Sequence, residues 1–217
     1  MKTLLVSCIR FCLWLSMLGV CQILSGQVAD DFSDGDFISN PAWEGDLTEW
    51  QVSSGELQSM GPGTSSGTLH LATASTAMSE TEWRLYMRYA FAPSTSNQIR
   101  FYLTADSANL EGDRLGYYIE IGESGSNDAF RVFRQDGGSR QELATGISGA
   151  VGSGIDGVVR VIRDDLGNWT LYSDLGSTGT FTEEASWTDA TYLTSAFTGV
   201  RVRHTSSRNE AFFFDDL

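Results

Sequence analysis

From Trp83 onward the chain alternates apolar and polar residues with a period of two. In 83–91, Trp83, Leu85, Met87, Tyr89 and Phe91 fall on one side, and Arg84, Tyr86 and Arg88 on the other. Successive side chains of a strand point to opposite faces, so this reads as a strand with one core face. The pattern recurs at 98–105, where Ile99, Phe101, Leu103 and Ala105 alternate with Arg100, Tyr102 and Thr104. It recurs again at 198–205, where Val200 and Val202 alternate with Arg201 and Arg203. Further strands are expected at 116–121, 130–135, 157–163, 169–173 and 211–216, with shorter ones near 31–32, 49–52, 56–58 and 68–71. Turn-forming residues at 93–97, 122–128, 136–138 and 164–168 separate them. No amphipathic helix of ten residues or more is evident. Many short strands at this spacing predict an all-β, antiparallel two-sheet sandwich of the jelly-roll type.

The polar faces of these strands repeat arginine and tyrosine. At 116–121 the apolar set leaves Tyr118 and Glu120 pointing outward. Arg84, Tyr86, Arg88, Arg100, Tyr102, Tyr118, Arg201 and Arg203 are therefore the candidate ligand-binding residues. If their strands are neighbours, they line one surface. Sugar sites use aromatic platforms with polar neighbours that fix hydroxyls. The competing reading is a solvated face whose arginines balance acids through cross-strand pairs. Trp83 and Trp169 lie in core register, whereas Trp43 and Trp187 are expected in loops, free to meet a ligand.

The first residues differ from the rest. Lys2 and Arg10 are the only charges before Asp30, and an apolar run extends from Leu4 to Leu24. A basic start, an apolar middle and small residues near Ser25 predict a signal peptide over 1–26. The run is also long enough to be weighed as a membrane anchor. Cys21 sits in a poor match to a lipidation motif, with Val20 where a small residue is wanted. Beyond residue 26 the chain has neither cysteine nor lysine, which excludes disulfides, a thiol nucleophile and thiolate metal sites. Twelve arginines there face 28 acidic residues, a net charge of −16. That argues against a nucleic-acid or anionic-membrane partner. About 190 residues suffice for one domain with a core, so 27–217 reads as a single sandwich. The ending Phe212-Phe213-Phe214-Asp215-Asp216-Leu217 reads as a hydrophobic strand with no tail, as if the chain were the N-terminal part of a longer protein.

Three stretches carry a family resemblance: the opening DDFSDGDF…NPAWEGD…WQVSSGELQ, the hairpin RDDLGNWTLYSD and the closing FFFDDL. Together they resemble a secreted domain common in Bacteroidetes, similar to concanavalin A-like or laminin-G-like jelly rolls. The resemblance spans 30–217. It implies two packed antiparallel sheets with the first and last strands adjacent, on a secreted or cell-surface protein. It does not imply an activity, since function resides in sites grafted on the fold.

The catalytic motifs of such folds are not matched. Jelly-roll glucanases resembling this class carry Glu-x-Asp-x-x-Glu on one strand, and paired carboxylates are what glycoside hydrolysis needs. The nearest approach, Glu120-Ile121-Gly122-Glu123, puts its acids on opposite faces. A lyase needs a histidine, tyrosine or lysine base beside an arginine. His70 and His204 are the only histidines, and the sequence supplies neither with a partner. Asp34 and Asp36, with Asp215 at the other end, are candidate ligands for a structural calcium, which takes carboxylate and carbonyl oxygens from such loops. The leading expectation is a non-catalytic module that binds a glycan or cell-surface polysaccharide. The alternatives are an adhesive spacer beside further domains of the same chain, and a glycoside hydrolase or lyase.

Overall fold

A computed structural model describes residues 28–217; the expected signal peptide and all three cysteines lie outside the described residues. Fourteen strands carry the fold: β1 Trp43–Gly45, β2 Trp50–Ser53, β3 Glu56–Ser59, β4 Gly67–Ala74, β5 Thr81–Tyr89, β6 Gln98–Ala105, β7 Arg114–Ile121, β8 Arg131–Gly137, β9 Ser139–Thr145, β10 Ile155–Arg163, β11 Asn168–Leu175, β12 Thr182–Thr188, β13 Phe197–His204 and β14 Phe213–Asp215. One short 3-10 turn, Leu47–Glu49, is the only helical element among the described residues. None of these residues forms a helix long and apolar enough to cross a membrane.

All strands pair antiparallel into two seven-stranded sheets. The first runs β1-β4-β13-β6-β7-β8-β9 and the second β12-β11-β10-β5-β14-β3-β2. Alternation drives the layering. Leu69, Leu71, Ile99, Phe101, Ile119, Val200 and Val202 from the first sheet pack against Leu57, Leu85, Met87, Val159, Val161, Leu171 and Phe214 from the second. Each fully buried side chain of this size contributes roughly 1.5–3 kcal/mol relative to exposure. The predicted all-β sandwich is therefore what forms.

The two ends of the domain meet. The N–H of Asp30 donates to the carbonyl of Leu217 at 2.9 Å, and the N–H of Leu217 donates back at 3.0 Å. No strand forms at 31–32: Asp30 and Asp31 accept the N–H groups of Phe32 and Ser33, and Phe32 takes a φ of 47°. Short aspartate side chains that capture backbone two residues on form turns in preference to a ladder.

Two strands escape the alternation pattern. Five of the seven residues of β9 are exposed or carry polar side chains throughout, as Ser139-Arg140-Gln141-Glu142 shows, and β12 is similarly polar. Both are edge strands. An edge strand needs little apolar surface and gains solubility from charge.

Candidate functional site

The outward side chains of the first sheet stand in register across five strands. One row reads His70 on β4, Arg201 on β13, Arg100 on β6, Glu120 on β7 and Arg131 on β8. The next reads Ala72, Gly199, Tyr102, Tyr118 and Phe133. Charges thus lie beside a run of rings. Tyr102 and Tyr118 sit 5.0 Å apart, and Tyr118 stacks on Phe133 at 5.3 Å. Gly199 lies between Ala72 and Tyr102 in this row, where a Cβ would come within 2.2 Å of the carbonyl oxygen of Leu71.

The rings are a floor rather than a platform. Tyr102 and Tyr118 are both 0% exposed. Ala72, Ala105, Leu110 and partly buried Ala108 complete a small second core over them, outside the sheet. The loop between β6 and β7 supplies Ala108 and Leu110. Guanidiniums rest on this floor: Arg100 lies 4.8 Å from the Tyr118 ring, Arg114 5.1 Å from Tyr102, and Arg140 4.4 Å and Arg131 5.0 Å from Phe133. Stacking a cation over an aromatic face is favourable and fixes the plane of its donors.

Glu120, 2% exposed, is the hub of charge pairing. Its Oε2 accepts from Arg100 at 2.8 Å and from Arg140 at 2.7 Å. Burial opposes the charge on Arg100, but Tyr118, Tyr102 and Glu120 outweigh it and hold its pKa above the ordinary value. Arg201 and Arg114 differ. Burial lowers the pKa of each, and the neighbouring Arg100 adds to the effect on both. Arg114 donates to the Tyr102 hydroxyl at 2.9 Å and to the Gly112 carbonyl.

At the β4 end, Asp46 Oδ2 accepts the backbone N–H of His70 at 2.8 Å and lies 2.9 Å from its ring Nδ1, which makes no hydrogen bond. Among the described residues, Asp46, His70 and Glu111 are the one group of three whose ligand atoms lie within 4.8 Å of one another. An imidazole with two carboxylates suits a transition metal better than calcium, which prefers an all-oxygen shell.

The single surface expected from the sequence divides in two. Arg100, Tyr102, Tyr118, Arg201 and Arg203 belong to the first sheet, with Arg203 exposed beside Gln98 and Thr68. Arg84, Tyr86 and Arg88 lie on β5 in the second sheet. Sandwiches turn the outer faces of their two sheets away from each other. On the second sheet Tyr86 donates to Asp156 at 2.9 Å, and Arg88 pairs with Glu56 and covers the Phe213 ring at 3.9 Å. Burial and Asp156 push the Tyr86 hydroxyl up to about 12. Arg84 pairs in register with Arg160, and both approach Phe181.

Trp43 and Trp187 are not in loops. Trp43 is buried in β1 and donates to Asp30 at 2.8 Å; Trp187 lies on β12, stacked on Trp169 at 5.6 Å. Glu120 and Glu123 are engaged by arginines, the latter by Arg131 at 3.8 Å. His204 is fully buried, its Nδ1 3.1 Å from the Thr205 carbonyl.

The termini gather carboxylates. A cleft of about 1080 Å³ there is lined by Asp30, Asp31, Asp34, Met78, Trp83 and Leu217, among others. Burial raises the pKa of Asp30, with Asp34 and Asp31 adding to it. Burial, Asp216, Glu56 and Asp31 push Asp215 up to about 6. Asp36 instead closes its own loop, accepting from the N–H groups of Ile38 and Ser39. Asp34, Asp36 and Asp215 are not assembled within 4.8 Å of one another, the spacing reached by Asp46, His70 and Glu111.

Sequence reasoning missed Arg114, Phe133, Arg140 and the His70–Asp46 pair. Parity does place Arg114 with Tyr118 and Glu120. Arg140 required β9, and Asp46 required the pairing of β1 with β4.

No protein-family model matches the chain, and no curated protein matches its sequence. Solved structures do. The exoplasmic/lumenal domain of VIP36 in its Ca2+/Man3GlcNAc-bound form superposes with a TM-score of 0.61 at 11% identity, covering 87% of this chain and 85% of that one. The Emp47p carbohydrate recognition domain gives 0.55 at 13% identity over 87% and 91% of the two chains. A legume lectin-like domain from Entamoeba histolytica gives 0.54 at 11% over 82% and 88%. At such identities the likeness shows the fold alone, and that fold is a legume-lectin-like, concanavalin A-type jelly roll.

Proposed function

We propose that this protein is a secreted or cell-surface carbohydrate-binding module without catalytic activity, and that the outer face of its first sheet is the binding surface. One observation carries this reading. Arg201, Arg100, Arg140 and Arg203 present forked donors on one face, and the buried floor of Tyr102, Tyr118 and Phe133 holds Arg100 and Arg140 in place. Rigid donors on a sheet lose little entropy when they meet hydroxyl or carboxylate oxygens. In this reading Tyr102 and Tyr118 position the arginines rather than stack on sugar. Arg84, Tyr86 and Arg88 fall outside the surface. Support also comes from the lectin-like neighbours, two of which are named for mannose-glycan binding or carbohydrate recognition. The exoplasmic/lumenal setting of the VIP36 domain supports placement outside the cytoplasm.

Affinity electrophoresis against a panel of polysaccharides tests the proposal. Retardation by at least one, lost in an Arg100→Ala/Arg201→Ala double variant of unchanged circular dichroism, is the expected result. No retardation by any polysaccharide overturns it and leaves the spacer reading.

A structural calcium forms part of the proposal. The carboxylate-rich end fits a hard cation: Asp215 is held up near 6 among other acids, a cost that a bound cation would relieve. Asp215 would supply a ligand there with Asp31 and Asp216, the acids that act on it, whereas Asp34 and Asp36, expected from the sequence, are not gathered with it and Asp36 stays engaged in its own loop. The calcium-bound forms of VIP36 support the idea.

A second reading, a polysaccharide lyase, is favoured by one observation: His70, paired with Asp46, stands beside Arg201 in the ladder. A positioned base next to a guanidinium is the minimal requirement for proton abstraction beside a carboxylate. Release of an ultraviolet-absorbing unsaturated product from a uronate polymer would establish it.

A further inference from the structure

The outer face of the first sheet carries arginines that none of its own acids pairs. Glu120 serves Arg100 and Arg140, while Glu142 and Glu123 serve Arg131. Arg114 and Arg201 have no carboxylate within 4.0 Å among the described residues. Both also keep a buried Nε–H without an acceptor. Arg114 is 3% exposed, so water does not readily satisfy it. An unmet buried donor costs about 1–3 kcal/mol, and more when the group is charged.

The setting makes this pointed. The chain holds 28 acidic residues and has a net charge of −14. Acids to pair these arginines are plentiful, yet Glu111, the acid whose charge acts on Arg201, belongs to the loop over the site and forms no ion pair with it. Arg201 is instead flanked in register by Arg100 and His70. Like charges directly opposite on neighbouring strands destabilise a sheet. An oxyanion bound between them would reverse that sign, because a guanidinium fork matches the two oxygens of a carboxylate or sulfate.

We infer that the ligand of this face is an acidic glycan, a polysaccharide whose sugars bear carboxylate or sulfate, with one anionic group seated on Arg201, Arg100 beside it and Arg114 beneath as a buried positive charge. Arg203, exposed two residues further along β13, extends the strip for the next acidic sugar. This rests on the glycan-binding reading above and narrows its ligand class. A nucleic acid is the other polyanion to be tested, and the acidic remainder of the molecule disfavours a long phosphate backbone.

The test is affinity electrophoresis of the full chain in gels containing polygalacturonate, its methyl ester, dextran, dextran sulfate or single-stranded DNA. The expected result is retardation by polygalacturonate or dextran sulfate, the stronger of the two identifying the anion. Dextran and the methyl ester should bind about tenfold more weakly or not at all, and added salt should weaken binding. Arg201→Gln should reduce affinity about tenfold, with its melting midpoint confirming that it folds. Arg201→Lys keeps the charge but loses the fork and should also bind more weakly; it serves if the glutamine variant does not fold. Equal retardation by dextran or the methyl ester overturns the acidic ligand and leaves glycan binding standing. Retardation by none of the five overturns the acidic ligand, and the wider polysaccharide panel then decides glycan binding. DNA binding as strong as that of polygalacturonate, or wild-type affinity in both Arg201 variants, also overturns the inference.

Discussion

Arg201 on β13 and Arg100 on β6 are direct cross-strand partners, and only Arg100 has a carboxylate within ion-pair distance. In the absence of ligand this juxtaposition is unfavourable by a few tenths of a kcal/mol to about 1 kcal/mol. Arg201→Gln should therefore raise the melting midpoint of the ligand-free protein by roughly 1–3 °C. Differential scanning calorimetry decides it. A fall of similar size would mean that Arg201 stabilises the sheet and needs no ligand to account for it.

Glu120 makes the converse case. It is the one acid shared by Arg100 and Arg140, and its side chain is 3% exposed. Glu120→Gln keeps the shape and leaves two guanidiniums without their counter-charge. Breaking a buried pair typically costs several kcal/mol, and the half-exposed Arg140 moderates this to about 2 kcal/mol. Urea unfolding should show that loss, equivalent to roughly 4–8 °C. An undiminished midpoint would show that water screens the cluster, and would weaken the claim that this face is rigid.

The layering was legible because the core strands obey a period of two. Ile99, Phe101, Val200 and Val202 could only point inward, and Arg100 and Arg201 followed outward by parity. Parity does not say which sheet a strand joins. β5 shows the same alternation as β6, yet it pairs with β10 and β14, so Arg84, Tyr86 and Arg88 lie on the other side of the molecule. Nor does parity reveal that the loop bearing Leu110 folds back over Tyr102 and Tyr118, burying residues expected to meet ligand. Polar edge strands gave no hydrophobic signal, which hid β9 and with it Arg140. Trp43 and Trp187 were misplaced for a similar reason: each belongs to a short or polar edge strand at the margin of the core.

Asp215 gives a pH-dependent prediction. Its folded pKa, raised to about 6 by burial and neighbouring acids, exceeds the ordinary 3.8. Such a group favours the folded state below the lower value, and that advantage is lost as pH rises through about 6. Asp215→Asn should thus melt higher than the parent at pH 7.5 in chelator, with the difference gone at pH 4. Calcium at a hundredfold excess over its Kd should stabilise the parent by about 2.7 kcal/mol and the variant by much less. If calcium moves neither midpoint, the metal proposal fails, whereas the chelator result bears on the acid alone.

The three stacked tryptophans separate the two sheets experimentally. Trp83, Trp169 and Trp187 lie nearly parallel, 5.4 and 5.6 Å apart, on β5, β11 and β12 of the second sheet. Trp169 is 1% exposed, so Trp169→Ala should cost about 3–5 kcal/mol and endanger folding. Trp187 closes the stack at the edge strand and is only partly buried, so Trp187→Ala should cost about 2 kcal/mol and leave a folded protein. Trp187 packs against Trp169 rather than standing free. Trp187→Ala should retain polysaccharide retardation unchanged, because the proposed surface belongs to the opposite sheet. Loss of retardation in a variant that still melts cooperatively would move the binding surface to the β12 edge, and would remove the arginine face from consideration.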